Sequence, residues 1–223
     1  MKITIAVLLV CIFFDFTIIS AQKKETTEQK LTELRKNATE KLKSQSYRKK
    51  MTFESYKSLR DSKPYLVVNE ITEFVPPDSS RVFSETKSPE GVSRLETITI
   101  AQRKYTRINN EDWKQVPLIQ SGSGPGFGKP EVVRRERTVK YNDKGKKIIN
   151  GQNADLYEFK IIYRYQFREL DYQNVITNRF WFSANGLFLR TESAEQDNNK
   201  RFTSRSISEY EYDPNIKIEA PIK

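Results

Sequence analysis

The sequence predicts an α+β chain in which one long N-terminal helix precedes about ten short antiparallel strands. Three observations carry this expectation. Residues Thr26 to Lys50 are rich in the helix formers Glu, Lys, Gln and Leu, with Leu31, Leu34, Ala38 and Leu42 on one stripe at helical spacing. From Tyr65 onward the apolar period switches to two, as strands with one buried face require. Clusters of Gly, Pro, Asn and Asp punctuate these stretches at short intervals, which suits antiparallel connections.

The segment ahead of the helix reads as an address. Lys2 gives a short positive start, Ile3 to Phe14 is an apolar run of signal-peptide length, and Ile19-Ser20-Ala21 offers a cleavage point before Gln22. Asp15 interrupts the run and would cost about 3 kcal/mol at a bilayer centre, which favours cleavage over a membrane anchor. Cys11 follows Val10 inside the apolar run, so there is no lipobox. The expected organisation is a signal peptide over 1–21 and a single domain over 22–223, in a periplasmic or secreted protein.

Each later element has its own signal. Tyr65 to Val75 is rich in β-branched residues and stops at Pro76-Pro77-Asp78. Arg81 to Thr86, Arg94 to Ile100 and Arg103 to Ile108 read as short strands, with a turn at Pro89-Glu90-Gly91. Ser121 to Pro130 holds four of the eight glycines and reads as a loop; its spacing fits neither a dinucleotide fingerprint nor a P-loop. Strands resume near Val132, with a hairpin turn expected at Asn142-Asp143-Lys144-Gly145. Leu156 to Arg168 is the clearest strand. Tyr157, Phe159, Ile161, Tyr163, Tyr165 and Phe167 fall on one of its faces. Ile176 to Ser183 and Leu187 to Ser193 form a hairpin around an expected type I′ turn at Asn185-Gly186. Phe202 to Tyr212 is a further strand, and Ile216 to Ile222 alternates to the end.

Composition removes whole classes of chemistry. With no histidine there is no Ser-His-Asp or Cys-His nucleophile and no imidazole acid/base or ligand. A single cysteine forbids an internal disulfide or thiolate zinc cluster. Ser-x-x-Lys occurs at Ser46–Lys49 and Ser84–Lys87, without the partner motifs of serine/lysine enzymes. The carboxylate pairs Glu111-Asp112 and Glu209/Glu211 have spacings common on exposed strands. No enzyme, metal site or cofactor is expected. Asn37-Ala38-Thr39 is a lone sequon on a helix.

Net charge is +10 and concentrated: Gln22 to Lys50 carries ten Lys/Arg against four Glu, and Lys129 to Lys147 eight against three acids. Such blocks can steer a protein to an anionic membrane surface, or simply form solvated faces. A nucleic-acid partner is not expected for an exported chain.

The helical stripe is too narrow to cover the aromatic face of Tyr157 to Phe167, where each ring buries ~150–250 Å². Either the sheet curls and fills its own interior, or it leaves an apolar groove for a ligand.

Three stretches resemble the periplasmic lipoprotein-carrier superfamily, the LolA/LppX-like outer-membrane lipoprotein-sorting proteins. They are Glu73-Phe74-Val75-Pro76-Pro77-Asp78 with Arg81, then Thr97 to Trp113 with Tyr105 and Glu111-Asp112-Trp113, then Phe180-Trp181-Phe182 through Gly186-Leu187 to Arg190 and Glu192, with the ending Tyr212-Asp213-Pro214 to Pro221. Where such carriers place an arginine before the first proline, this chain has Val75. The resemblance implies a curved antiparallel half-barrel whose concave face holds acyl chains. The expected ligand is then a lipid or acylated protein, on a floor of Tyr157, Phe159, Ile161, Tyr163, Tyr165 and Phe167 with Trp113 and Trp181 at the rim. The alternative is a periplasmic sensor or interaction domain of the same fold with no bound lipid.

Overall fold

The computed structural model describes residues 26–56, 63–117, 134–167, 170–197, 199 and 201–222; the expected signal peptide and the Ser121–Pro130 loop lie outside them. Thr26 starts helix α1 (Thr27–Leu42) with a capping box: its hydroxyl accepts from the Gln29 backbone N–H at 3.2 Å, and its own N–H donates to Gln29 Oε1 at 3.0 Å. The long helix expected to reach Lys50 stops at Leu42 and is only 16 residues. Ser44-Gln45-Ser46 breaks the helix, and Tyr47, Lys49, Met51 and Phe53 then alternate on a strand. Lys and Arg favour helices in isolation, but here strand pairing overrides that preference.

Eleven strands follow: β1 (Tyr47–Ser55), β2 (Leu66–Val75), β3 (Ser79–Ser88), β4 (Gly91–Ile100), β5 (Arg103–Ile108), β6 (Lys114–Val116), β7 (Arg134–Ile149), β8 (Gln152–Phe167), β9 (Leu170–Phe182), β10 (Phe188–Gln196) and β11 (Phe202–Tyr212). They form one antiparallel sheet in the order β6-β5-β4-β3-β2-β1-β11-β10-β9-β8-β7, an open sheet that fits a half-barrel. Two hairpin series, β1 to β6 and β7 to β11, are joined by the long-range pairing of β1 with β11, from Tyr47↔Tyr212 to Ser55↔Ser204.

Three local assignments change. Asn142–Gly145 is a bulge inside β7, where Asp143 Oδ1 accepts from the Gly145 N–H at 2.8 Å and the register shifts between Asp143 and Lys146. The hairpin turn is Asn150-Gly151, both at positive φ (49° and 76°), which matches the strand twist as a type I′ turn does. At Asn185-Gly186 the hairpin is present, but only Gly186 is left-handed (φ 70°), and its N–H donates to the Ser183 carbonyl at 2.8 Å. That is a turn over Ser183–Gly186 followed by a bulge at Phe188/Arg190, not type I′. The C-terminal alternation is not a strand, and of its isoleucines only Ile216 is buried.

Residues directly across an antiparallel pair share a face, so register sorts every side chain. The inner face, on which α1 packs, carries Tyr141, Tyr157, Phe159, Phe180, Phe182, Phe188, Tyr210, Tyr47 and Phe74. Leu31 and Ala38 pack into Tyr157, Phe182 and Phe188, with Leu34 and Leu42 alongside. A helix of this length is marginal alone, so its docking is what holds it.

The outer face is a lattice of ion pairs. Buried Glu96 joins Arg81 at 2.6 Å and Arg107 at 2.5 Å; buried Glu158 joins Arg179 at 2.9 Å, with Lys144 and Lys160 at 3.6 and 3.7 Å. Burial works to raise both carboxyls, but the arginine hydrogen bonds and neighbouring cations win and hold both below the usual range.

Candidate functional site

Along one end of the inner face, aromatic rings form a row from β7 to β2. Tyr141 and Phe159 lie 5.8 Å apart, Phe159 and Phe180 5.8 Å, Phe180 and Phe182 6.3 Å, Phe182 and Phe188 5.2 Å, Phe188 and Tyr210 5.7 Å. Tyr47 continues it, 6.2 Å from Tyr210 and 5.5 Å from Phe74. Burial raises the phenols of Tyr47, Tyr210 and Tyr212, so all three stay neutral at physiological pH.

Helix α1 lies over the β7-to-β10 part of this row and is fastened near both ends. Lys30 pairs with Asp143 at 3.9 Å and sits 5.3 Å above the Tyr157 ring; a hydrogen bond with the Tyr157 hydroxyl raises the Lys30 pKa. Lys41 donates to the Asn185 carbonyl in the β9–β10 turn. Between them the Arg35 guanidinium stacks over Phe180 at 4.9 Å and Phe159 at 5.6 Å.

The β8 residues singled out from sequence therefore occupy two environments. Tyr157 is 2% exposed, buried in the cluster with Leu31, and Phe159 lies beneath Arg35. Ile161, Tyr163 and Tyr165 continue the same face beyond Phe159 and are half-buried, the two tyrosine rings stacked at 6.1 Å. Ile176 and Asn174 of β9 stand directly across from Ile161 and Tyr163. The side chain of Phe167 lies outside the described residues.

The tryptophans do not rim this face, which corrects the grouping expected from sequence. Trp181 pairs with Leu156 on the outer face and has the Arg190 guanidinium 5.5 Å from its ring. Trp113 stacks with Arg107, an outer-face residue of β5, at 4.8 Å, and seven strands separate β5 from β8. The period of a strand assigns alternate residues to two faces; which face meets the helix is set by pairing.

The centre of the inner face is polar, a feature not expected from sequence. Thr191 and Ser193 of β10 face Ser208 and Ser206 of β11, and Glu195 faces Ser204. Glu195 accepts from the Asn174 amide and from Ser204 Oγ at 3.4 Å, and on β1 and β2 Lys49 pairs with Glu70 at 3.1 Å. The alternation Ser204-Ser206-Ser208-Tyr210 in β11 was the available signal. The inner face thus offers an apolar strip on β8, flanked on β9 by Ile176 between Asn174 and Asn178, and a strip of short hydroxyl side chains on β10 and β11, an amphipathic surface. A separate open groove of about 480 Å³ is lined in part by Arg48, Lys50, Leu187, Leu189, Glu209 and Glu211, a mixture of charged and apolar side chains.

Among the residues with catalytic spacing, Glu209 and Glu211 share a face but are each ion-paired, and one Ser/Lys pair is split by the sheet. Ser84 and Lys87 lie on opposite faces of β3, and Lys87 pairs with Glu85 at 3.0 Å. Glu209 and Glu211 are tied to Arg190 at 3.3 Å and Arg48 at 3.7 Å. Among the described residues no cluster of three or more Cys, Asp or Glu could hold a metal ion.

No family model and no curated protein sequence matches the chain. Among solved structures it is similar to LprF from Mycobacterium bovis, with 8% identity and a TM-score of 0.44 over 85% of this chain and 95% of that one. It is also similar to a DUF1329 family protein from Desulfovibrio piger, with 9% identity, a TM-score of 0.29, and 83% and 92% covered. A LolA superfamily protein from Nitrosomonas europaea is among the similar structures too, with 10% identity, a TM-score of 0.27, and 81% and 90% covered. At such identities, what the site can do follows from its own residues.

Proposed function

We propose that this chain is an exported cell-envelope protein that holds a lipid, or the acyl chain of an acylated protein, on its inner face. One observation supports the reading most. The aromatic and aliphatic strip of β8 runs on past Phe159, so Ile161, Tyr163 and Tyr165 remain half-buried where Tyr157 is 2% exposed. A hydrocarbon laid along that strip gains ~0.8 kcal/mol per buried CH₂, about 5 kcal/mol for roughly six carbons. The tyrosine hydroxyls and the adjoining serines suit the end of the chain that stays wet. Nothing covalent is required.

The test is uptake of a fluorescent fatty acid. Tyr163→Asp sets a carboxylate into the strip and should weaken uptake more than about tenfold. Lys43→Ala, on an exposed residue paired with Glu40 at 2.9 Å, should change it less than about threefold. Small, equal effects would remove β8 from the site. A second reading, an interaction domain with no bound lipid, draws support from the hydroxyl strip at the centre of the face. Mass spectrometry of organic extracts from the natively purified protein separates the two, since the first expects a co-purified acyl compound.

A further inference from the structure

Some arginines of the sheet are ion-paired and others are not. On the outer face Arg48, Arg81, Arg94, Arg107, Arg179 and Arg190 each pair with at least one glutamate. On the same face Arg103, Arg164 and Arg205 have no carboxylate within ion-pair distance among the described residues. On the helix side, Arg35 and Arg137 have no carboxylate within ion-pair distance among the described residues, and both are exposed.

Their positions are specific. Arg35 lies over Phe159 and Phe180, 5.6 and 4.9 Å from the ring centroids. A guanidinium held on aromatic rings keeps N–H donors at its edge for an oxyanion. Arg137 stands on the inner face of β7, directly across from Tyr163, and shares that face with Tyr141, which itself pairs with Phe159. The two cations thus bracket the stretch of β8 from Phe159 to Tyr163. Both act on the Tyr141 phenol: burial and a hydrogen bond to Glu28 raise its pKa, while Arg137 and Arg35 pull it down. Glu28 is the acidic side chain that shares this corner.

We propose that Arg35 and Arg137 form a clamp for the anionic headgroup of a single-chain amphiphile whose tail lies on Ile161, Tyr163 and Tyr165. The inference rests on the function proposed above and adds the ligand's charge, its direction on the sheet and the residues that read it. An uncharged lipid would leave both arginines as they are, whereas a carboxylate or phosphate headgroup supplies a partner such as Arg48, Arg81, Arg94, Arg107, Arg179 and Arg190 already have.

The test compares two probes of equal chain length, a fluorescent fatty acid and its methyl ester, in low salt at a pH where the acid is ionised. The wild-type protein should bind the acid about tenfold more tightly than the ester. Arg35→Gln and Arg137→Gln should each lower that preference several-fold through weaker acid binding, leaving the ester within about twofold. Lys36→Gln, the same charge loss on an exposed neighbour, should leave the preference unchanged. Equal binding of acid and ester by the wild type, or an equal drop in Lys36→Gln, overturns the clamp while the acyl site stands. Binding of neither probe overturns both. Far-UV circular dichroism checks each variant; should Arg35→Gln lose its helix, Arg137→Gln on the edge strand decides.

Discussion

Phe182→Ala probes the point where helix, sheet and site meet. The ring is 1% exposed, in edge contact with Tyr157 at 6.1 Å, 5.2 Å from Phe188 and 6.3 Å from Phe180, with Leu31 and Ala38 of α1 in the same cluster. Truncation removes the transfer energy of a whole ring and leaves a cavity walled by strands and helix, which relax little; about 3–5 kcal/mol is expected. For a chain of this size that lowers the melting temperature by roughly 6–20 °C, at about 2–4 °C per kcal/mol. Urea unfolding followed by tryptophan fluorescence gives the loss directly, with an unchanged slope if the native surface is kept. Leu31→Ala in the same background should show a coupling of about 1 kcal/mol or more, because both residues wall the same space. A loss under about 1 kcal/mol, or strict additivity with Leu31→Ala, would refute the claim that this ring fixes the helix to the sheet. If Phe182→Ala fails to fold, Phe182→Leu, which keeps more of the volume, should cost less and carries the same test.

Two further expectations concern the outer face and the helix clasp. Glu96 and Glu158 have folded pKa values below their unfolded ones, so the stability they add is present above the ordinary carboxylate range and is lost as pH falls through the folded values. Urea midpoints should therefore fall as the pH is taken from about 5 to about 3, and a Glu96→Gln/Glu158→Gln double variant should flatten that slope; an unaltered slope would count against the assignment. Gly186→Ala places a side chain at φ 70° with its Cβ 3.4 Å from Lys41 Nζ, and should lower the melting temperature. The cost is about 1–2 kcal/mol and lies in the backbone, so Lys41→Met should not relieve it.

Much of the secondary structure was legible in local patterns. The stripe through Leu31 and Ala38, the alternation in β8 and the hairpin at Asn185-Gly186 stand where neighbouring residues place them. Helix and strand periods are properties of a few consecutive residues, so a sequence displays them directly. The errors share an origin. The basic run Tyr47–Lys50 looks helical alone and becomes strand because β2 and β11 flank it. Asn142–Gly145 resembles a turn until β8 pairs on either side of it.

Local pattern was thus enough to establish a helix with a narrow apolar stripe, many strands and one strand face crowded with rings. What those faces meet came from long-range pairing. It buried Tyr157 beneath α1, set Phe159 under Arg35 and left Tyr163 beyond, sent Trp181 and Trp113 to the outer side, and set the serines of β11 at the centre of the inner one. The cause is register: alternation divides a strand into two sides, but only hydrogen bonds to strands distant in the chain fix which side faces the helix.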